Sequence, residues 1–429
     1  MTTSTTAVRG GNSPRQVLFA SLVGTTIEFF DFYIYATAAV LVFPFLFFPD
    51  SDPVAARLAS LATFAIAFLA RPIGSALFGH YGDRIGRKAT LVAALLTMGL
   101  STVAIGLLPT YATIGVAAPI LLALCRFGQG LGLGGEWGGA VLLAVENAPP
   151  GRRAWYGMFP QLGAPLGFIC SATVFLLLSE LFTDEQFFAF GWRIPFIASA
   201  ALVGIGLYVR LTISETPAFQ ASIARQERVK VPMLTVMSEQ PRTLVAGTVA
   251  AITTFVLFYL MTVFLLSWGT TALGYSREQF LLMQLGGILC FGATIPLAAV
   301  AAERYGRRRT LVWVTVAIGL FGFVMAPLLE AGPVGAMATL AIGLALMGLT
   351  YGPLGTVLSE LFPTTVRYTG SSLTFNLAGI FGASLAPYAA TWLAGRYGLA
   401  SVGLYLAGAA VLSLAGFLAM HETRDTGLT

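Results

Sequence analysis

The sequence predicts an all-α membrane protein of twelve transmembrane helices arranged as two pseudo-symmetric six-helix bundles. Three observations lead there. Charged residues are only 10% of the 429 and the mean hydropathy is +0.82, whereas an average soluble domain is about 25% charged. The apolar residues gather into twelve windows, each long enough for the ~20 residues a helix needs to cross a bilayer. Two charged motifs of the first half also return in the second.

In chain order the first six windows are Val17–Phe43, Leu58–Phe78, Ala89–Leu108, Ala118–Val145, Trp155–Leu178 and Phe188–Leu211. The second six are Thr243–Ser267, Phe280–Val300, Thr310–Leu329, Val334–Leu358, Thr369–Leu393 and Ala400–Met420. Barrel strands would alternate polar and apolar residues over about ten positions. These windows are continuously apolar and rich in Gly and Ala, which suits close helix packing in lipid. Met1–Gln16 is polar and the first window is too long for a signal h-region, so no cleavable leader is expected. Cys125, Cys170 and Cys290 all fall inside apolar windows, so no disulfide framework is implied.

Orientation follows from the basic residues. Of the 24 Lys and Arg, Arg57, Arg193, Arg277 and Arg396 fall on one side and Arg71 and Arg126 inside windows. All the rest fall on the other side, which the positive-inside rule makes cytoplasmic. Both termini are then cytoplasmic: residues 1–16 and 421–429 form tails. The polar stretch 214–242, with Arg225, Arg228, Lys230 and Arg242, links a bundle of 17–213 to one of 243–420. The net charge of +5 is dispersed between windows rather than gathered on one polar segment, so no nucleic-acid partner is expected.

The repeat is specific. Asp83-Arg84-Ile85-Gly86-Arg87-Lys88 returns as Glu303-Arg304-Tyr305-Gly306-Arg307-Arg308, 220 residues on (83 to 303). Glu146-x-x-Pro149-x-x-x-Arg153 returns as Glu360-x-x-Pro363-x-x-x-Arg367, 214 residues on (146 to 360). One duplication explains both. Six helices per copy is an even number, so the copies share an orientation, a plan that secondary transporters use with the site between the halves.

Gly79-His-Tyr-Gly-Asp83-Arg84-Ile-Gly86-Arg87-Lys88 resembles the loop 2–3 signature of the major facilitator superfamily. Five further segments resemble its metabolite:proton symporter branch. They are Ile27-Glu28-Phe-Phe-Asp31-Phe-Tyr-Ile-Tyr35, Ala70-Arg71-Pro72-Ile-Gly74, Arg126-Phe-Gly-Gln129-Gly130, Gly134-Gly-Glu136-Trp137-Gly-Gly139 and Trp192-Arg193-Ile-Pro195-Phe196. The resemblance covers nearly the whole chain. It implies the major facilitator fold, a bacterial inner membrane location and carriage of a small metabolite with protons. Carriers for shikimate, α-ketoglutarate, citrate, phthalates, proline and betaine belong to that branch. Its osmosensing member continues into a coiled-coil tail, whereas this sequence ends at Thr429, so osmosensing is not expected.

Charges inside windows cost about 2.5–3.5 kcal/mol each on insertion scales, so they persist when paired or lining a wet cavity. Glu28 and Asp31 lie three apart on one helix face, with Tyr35 a turn further on. Arg126, Gln129, Leu133, Glu136 and Trp137 fall within about a third of a helix circumference and can face one cavity. Structural pairing is the alternative, nearly as strong for Glu28 and Arg71 as a functional role. Both histidines, His80 and His421, lie outside mid-membrane positions, which leaves proton coupling to a carboxylate. The sharp expectation pairs Asp31 with Arg126. Protonating Asp31 would release the guanidinium to a substrate carboxylate. Glu136 and Glu28 compete as proton sites. Arg71, Gln129, Trp137, Tyr35, Tyr259 and Asn376 complete the expected substrate contacts. Gly163-Ala-Pro165-Leu-Gly167 reads equally as hinge or as packing surface.

By resemblance, Asp83, Arg87, Glu146 and Arg153 form a charge network at the cytoplasmic ends that locks the outward-open state, and Arg84 with Glu303, Arg307, Glu360 and Arg367 of the second copy are expected to belong to the same gate. Plain topogenic charge is the alternative, which acids serve poorly. No metal cluster, Ser–Lys or Ser–His pair at membrane depth argues for an enzyme, and no GxxxxGK[ST] loop for ATP-driven transport. Two halves around one site suit alternating access better than a channel. The expected partners are therefore a small carboxylate substrate, protons and the lipid bilayer, for a monomer with no cofactor and no metal. A proton-independent facilitator and a zwitterion symporter remain open.

Overall fold

The computed structural model describes residues 13–49, 53–216, 220 and 230–424. The expected tails up to residue 12 and from 425, and linker positions 217–219 and 221–229, lie outside them. Among the described residues twelve helices are long and apolar enough to cross a membrane. In the first half these are α1 (Pro14–Leu41), α2 (Leu58–Arg84), α3 (Arg87–Leu107), α4 (Ala117–Glu146), α5 (Arg153–Leu181) and α6 (Gly191–Leu211). In the second half they are α7 (Pro241–Thr271), α8 (Arg277–Tyr305), α9 (Arg307–Leu329), α10 (Pro333–Glu360), α11 (Arg367–Tyr397) and α12 (Ala400–Ala419).

Local chemistry sets the ends. The α1 helix begins at Pro14, three residues before the apolar window, because Ser13 and Gln16 form a capping box and Pro14 takes the first helical position. The α2–α3 and α8–α9 reversals each turn on one glycine, Gly86 at φ 135° and Gly306 at φ 99°. Side-chain-bearing residues rarely enter that region. The four-residue separation of Arg87 from Asp83, and of Arg307 from Glu303, is thereby fixed in both copies. Within the stretch expected as linker, Pro232–Glu239 is helical.

The two halves repeat their packing: α2 lies on α4 as α8 lies on α10, and α3 on α6 as α9 on α12. Between halves, α5 packs on α8 and α11 on α2. Glycines allow the closest approaches within the first bundle. An added Cβ on Gly130 would stand 2.5 Å from the Ala67 carbonyl oxygen, and one on Gly167 2.7 Å from Phe29 Cβ. The Gly163–Gly167 segment therefore serves α5–α1 packing. Helices α7 and α11 each contain a π-helical turn, Leu260–Phe264 and Ile380–Ser384. Gln284 of α8 donates to the Met261 and Thr262 carbonyls at 3.1 and 2.7 Å, satisfying groups in the irregular turn.

Candidate functional site

At the end where α2 meets α3 and α4 meets α5, charges hold the halves together. Arg87 Nη1 donates to the Gly82 carbonyl at 2.7 Å and to Asp83 Oδ1 at 3.0 Å, and its Nη2 lies 3.6 Å from Glu146. Asp83 Oδ2 crosses to the other half, accepting from Thr369 N and Oγ1 at 3.2 and 2.7 Å. The second copy mirrors this. Glu303 Oε1 accepts from the backbone N–H of Ala154 and Trp155 at 2.7 and 3.2 Å. Each acid thus sits at the N-terminus of a helix in the opposite bundle, where free N–H groups and the helix dipole favour an anion. Arg153–Glu360 at 3.4 Å and Arg367–Glu146 at 3.8 Å add two ion pairs across the halves. Arg307 holds Glu360 within its own half at 3.3 Å. Tyr368 Oη donates to the Gly135 carbonyl across the same seam. This end is closed. Arg84, expected in the network, instead is exposed and meets His80 of its own helix at 3.2 Å.

A third repeat escaped the sequence reading. Glu215 accepts the Lys88 N–H at 3.2 Å, and Glu422 accepts those of Arg307 and Arg308 at 2.8 and 3.0 Å. The adjacent threonines follow suit: Thr216 donates to Glu146 and Thr423 to Glu360, both at 2.7 Å. The signal was a Glu-Thr pair just beyond the sixth and twelfth windows, too short to stand out by composition.

At mid-depth the expected Asp31–Arg126 ion pair is not formed. Asp31 points toward α6, where its Oδ1 accepts from Ser199 at 2.6 Å, and its Oδ2 is without a partner among the described residues. Arg126 donates to Gln129 at 2.7 Å and lies over the Tyr35, Phe32 and Phe64 rings, 3.9, 4.8 and 4.9 Å from their centroids. Cation–π contact competes with ion pairing here, since a desolvated guanidinium over a ring gains about 2 kcal/mol. Gln129 links the two, reaching the Asp31 carbonyl at 3.5 Å and Thr102 at 2.7 Å. Tyr35 is itself bonded to Thr63 at 2.7 Å.

The polar stripe of α4 divides among three environments. Arg126 and Gln129 face α1 and α3. Glu136 instead pairs with Arg210 of α6, which the sequence places among the cytoplasmic-side charges at the end of the sixth window. Trp137 crosses to the other half, stacking on Phe375 at 3.5 Å and 8°, while its indole N–H donates to Gln161 at 2.9 Å. The single cavity expected for the stripe is therefore corrected. Asn376, expected at the substrate, is engaged between helices here. Its amide donates to Ser75 and the Gly134 and Ser372 carbonyls at 2.7, 3.3 and 2.8 Å, tying α11 to α2 and α4.

A space of ≈ 410 Å³ lies within the first bundle at the closed end, and another of ≈ 380 Å³ lies between the halves at the centre. The central one is walled by Arg71, Phe29, Tyr33, Tyr259, Tyr351 and Phe375 among others. Arg71 stands over Phe32 and Phe68 at 5.0 and 4.9 Å, and its Nε has no partner among the described residues. Glu28 is 1% exposed with Oε2 likewise unpartnered. Tyr33, Phe258 and Tyr259 also line a second space of ≈ 330 Å³ on the side away from the closed end, so these three rings partition the two.

A family model described as Major Facilitator Superfamily matches residues 22–387. The chain is 59% identical to the "Inner membrane metabolite transport protein YhjE" of Escherichia coli (strain K12), over 97% of this chain and 96% of that one. It is 36% identical to the "Shikimate transporter" of the same organism, over 96% and 95%. Among solved structures, a D-xylose-proton symporter superposes with a TM-score of 0.75 at 18% identity, covering 96% of this chain and 98% of that one.

Proposed function

The chain belongs to the major facilitator superfamily, and from that premise we propose that it is a proton-coupled symporter taking up a small organic acid by alternating access. We assign it to the bacterial inner membrane, with both termini and the 214–242 segment cytoplasmic, between bundles 17–213 and 243–420. The name of its 59% identical relative supports the membrane assignment.

The observation that carries the reading is a sealed end beside a central cavity. Cross-half contacts of Asp83, Glu146, Arg153, Glu303, Glu360 and Arg367 close one side. Breaking and remaking them alternately opens a site between two rigid bundles. Arg71 supplies the cavity with a cation that no acid among the described residues neutralises by contact, which supports an anionic substrate.

Proton coupling rests on the buried acids of α1. A bare carboxylate in a dry interior costs several kcal/mol. Asp31 and Glu28 have no ion pair among the described residues, so water reaching either in another state changes its affinity for a proton. The facilitator reading draws on the Ser199 bond, which suits a structural Asp31. Uptake into proteoliposomes decides between them. Proton symport requires accumulation driven by an inside-alkaline gradient and abolished by a protonophore. Uptake that merely equilibrates, unchanged by the protonophore, establishes the facilitator.

A further inference from the structure

We propose that the substrate is a monocarboxylate with a flat, ring-shaped body, held by Arg71 through its carboxylate and by aromatic faces around the ring. This rests on the transport reading above and narrows its substrate class. It also moves the carboxylate anchor from Arg126 to Arg71.

Arg71 is 3% exposed and lines the central space, whereas Arg126 does not. Arg126 gives one N–H to Gln129 and its faces to Tyr35, Phe32 and Phe64, and its unpartnered Nε and Nη2 do not line the central space. The guanidinium of Arg71 rests on two rings but makes no ion pair among the described residues. It is the cation that an entering carboxylate meets, in surroundings dry enough to strengthen a charge-assisted hydrogen bond.

Arg71 is also the single charged residue among those described in that wall. A second carboxylate on the substrate would be buried without a cation, and uncompensated buried charge is a strong means of rejection. A zwitterion fares little better: its ammonium would lie near Arg71, and no acid is among the described residues of the wall to balance it. The remaining wall is largely aromatic, with Phe29, Tyr33, Phe258, Tyr259 and Phe291 among its rings. Rings of this kind favour stacked or edge contacts with another flat face. One polar handle remains. Tyr351 Oη is buried, lines the space and has no partner among the described residues, so it can bond a hydroxyl on the ring.

The test uses the purified full-length protein with benzoate and 3-hydroxybenzoate as ring acids, succinate as dicarboxylate and glycine betaine as zwitterion. Ring acids should raise the unfolding temperature, and the other two should not. Arg71→Lys should weaken ring-acid binding about 10- to 100-fold, the cost of a lost charge-assisted fork. Tyr351→Phe should weaken 3-hydroxybenzoate while leaving benzoate unchanged, which also covers an Arg71 variant that fails to fold. Stabilisation by succinate or betaine and not by ring acids overturns the proposal, as does an unchanged ring-acid response in Arg71→Lys. Counterflow in proteoliposomes separates the two levels. Movement of succinate or betaine alone sinks the ring-acid class while transport stands, and binding of ring acids without movement sinks the transport reading.

Discussion

Glu136 of α4 and Arg210 of α6 form an ion pair buried inside the first bundle. Gly24 of α1 makes room for it: a Cβ there would stand 2.8 Å from Arg210 Nη2. Arg210 also donates to the Leu91 carbonyl at 2.6 Å, so one side chain joins α1, α3, α4 and α6. Removing one partner of a buried pair strands the other, at about 3–5 kcal/mol. Arg210→Gln should therefore lower the unfolding temperature sharply, and Glu136→Gln added to it should recover part of the loss. A double variant no more stable than Arg210→Gln would show that the pair contributes little.

The lock at the closed end predicts a separable effect. Asp83→Asn keeps the shape but places an amide where two Thr369 donors and an arginine now meet a carboxylate. Losing those bonds should cost about 1–3 kcal/mol of the closed state, enough to shift the balance of states five-fold or more. Uptake should fall while size-exclusion behaviour stays normal. Uptake at the unsubstituted rate would remove Asp83 from the gate.

Glu215 and Glu422 should act on the same equilibrium. Each accepts backbone N–H groups at the start of a helix, α3 or α9, and such caps contribute about 0.5–2 kcal/mol. Glu422→Ala should loosen the closed end and reproduce part of the Asp83→Asn transport defect. If only thermal stability falls, and transport per folded molecule is unchanged, the cap is purely structural.

Asp31 offers the sharpest test of coupling. Asp31→Asn keeps an acceptor for Ser199 but cannot carry a proton. Proton-driven accumulation should be lost, while exchange of internal for external solute survives, because exchange moves no net proton. Full accumulation by the variant shifts the proton site to Glu28 or Glu136.

Much of this was legible in the chain itself. Twelve apolar windows, basic loops and two repeated motifs determined the helix count and the duplication, because crossing a bilayer takes about 20 apolar residues in a helix and leaves the charges to the loops. The Asp83–Arg87 pairing was legible too, since four residues around a glycine turn leave few alternatives. Partners across helices were not. Arg210 counts among the cytoplasmic-side charges in sequence, because sequence position does not tell which way the last turn of a span faces. Asp31 and Arg126 lie on the helices expected, yet their side chains leave in different directions, one to Ser199 and one onto aromatic rings. Helix phase follows from periodicity. Which neighbour a polar group meets inside the bundle is decided by rotation and depth of packing, and those exist only once the helices have come together.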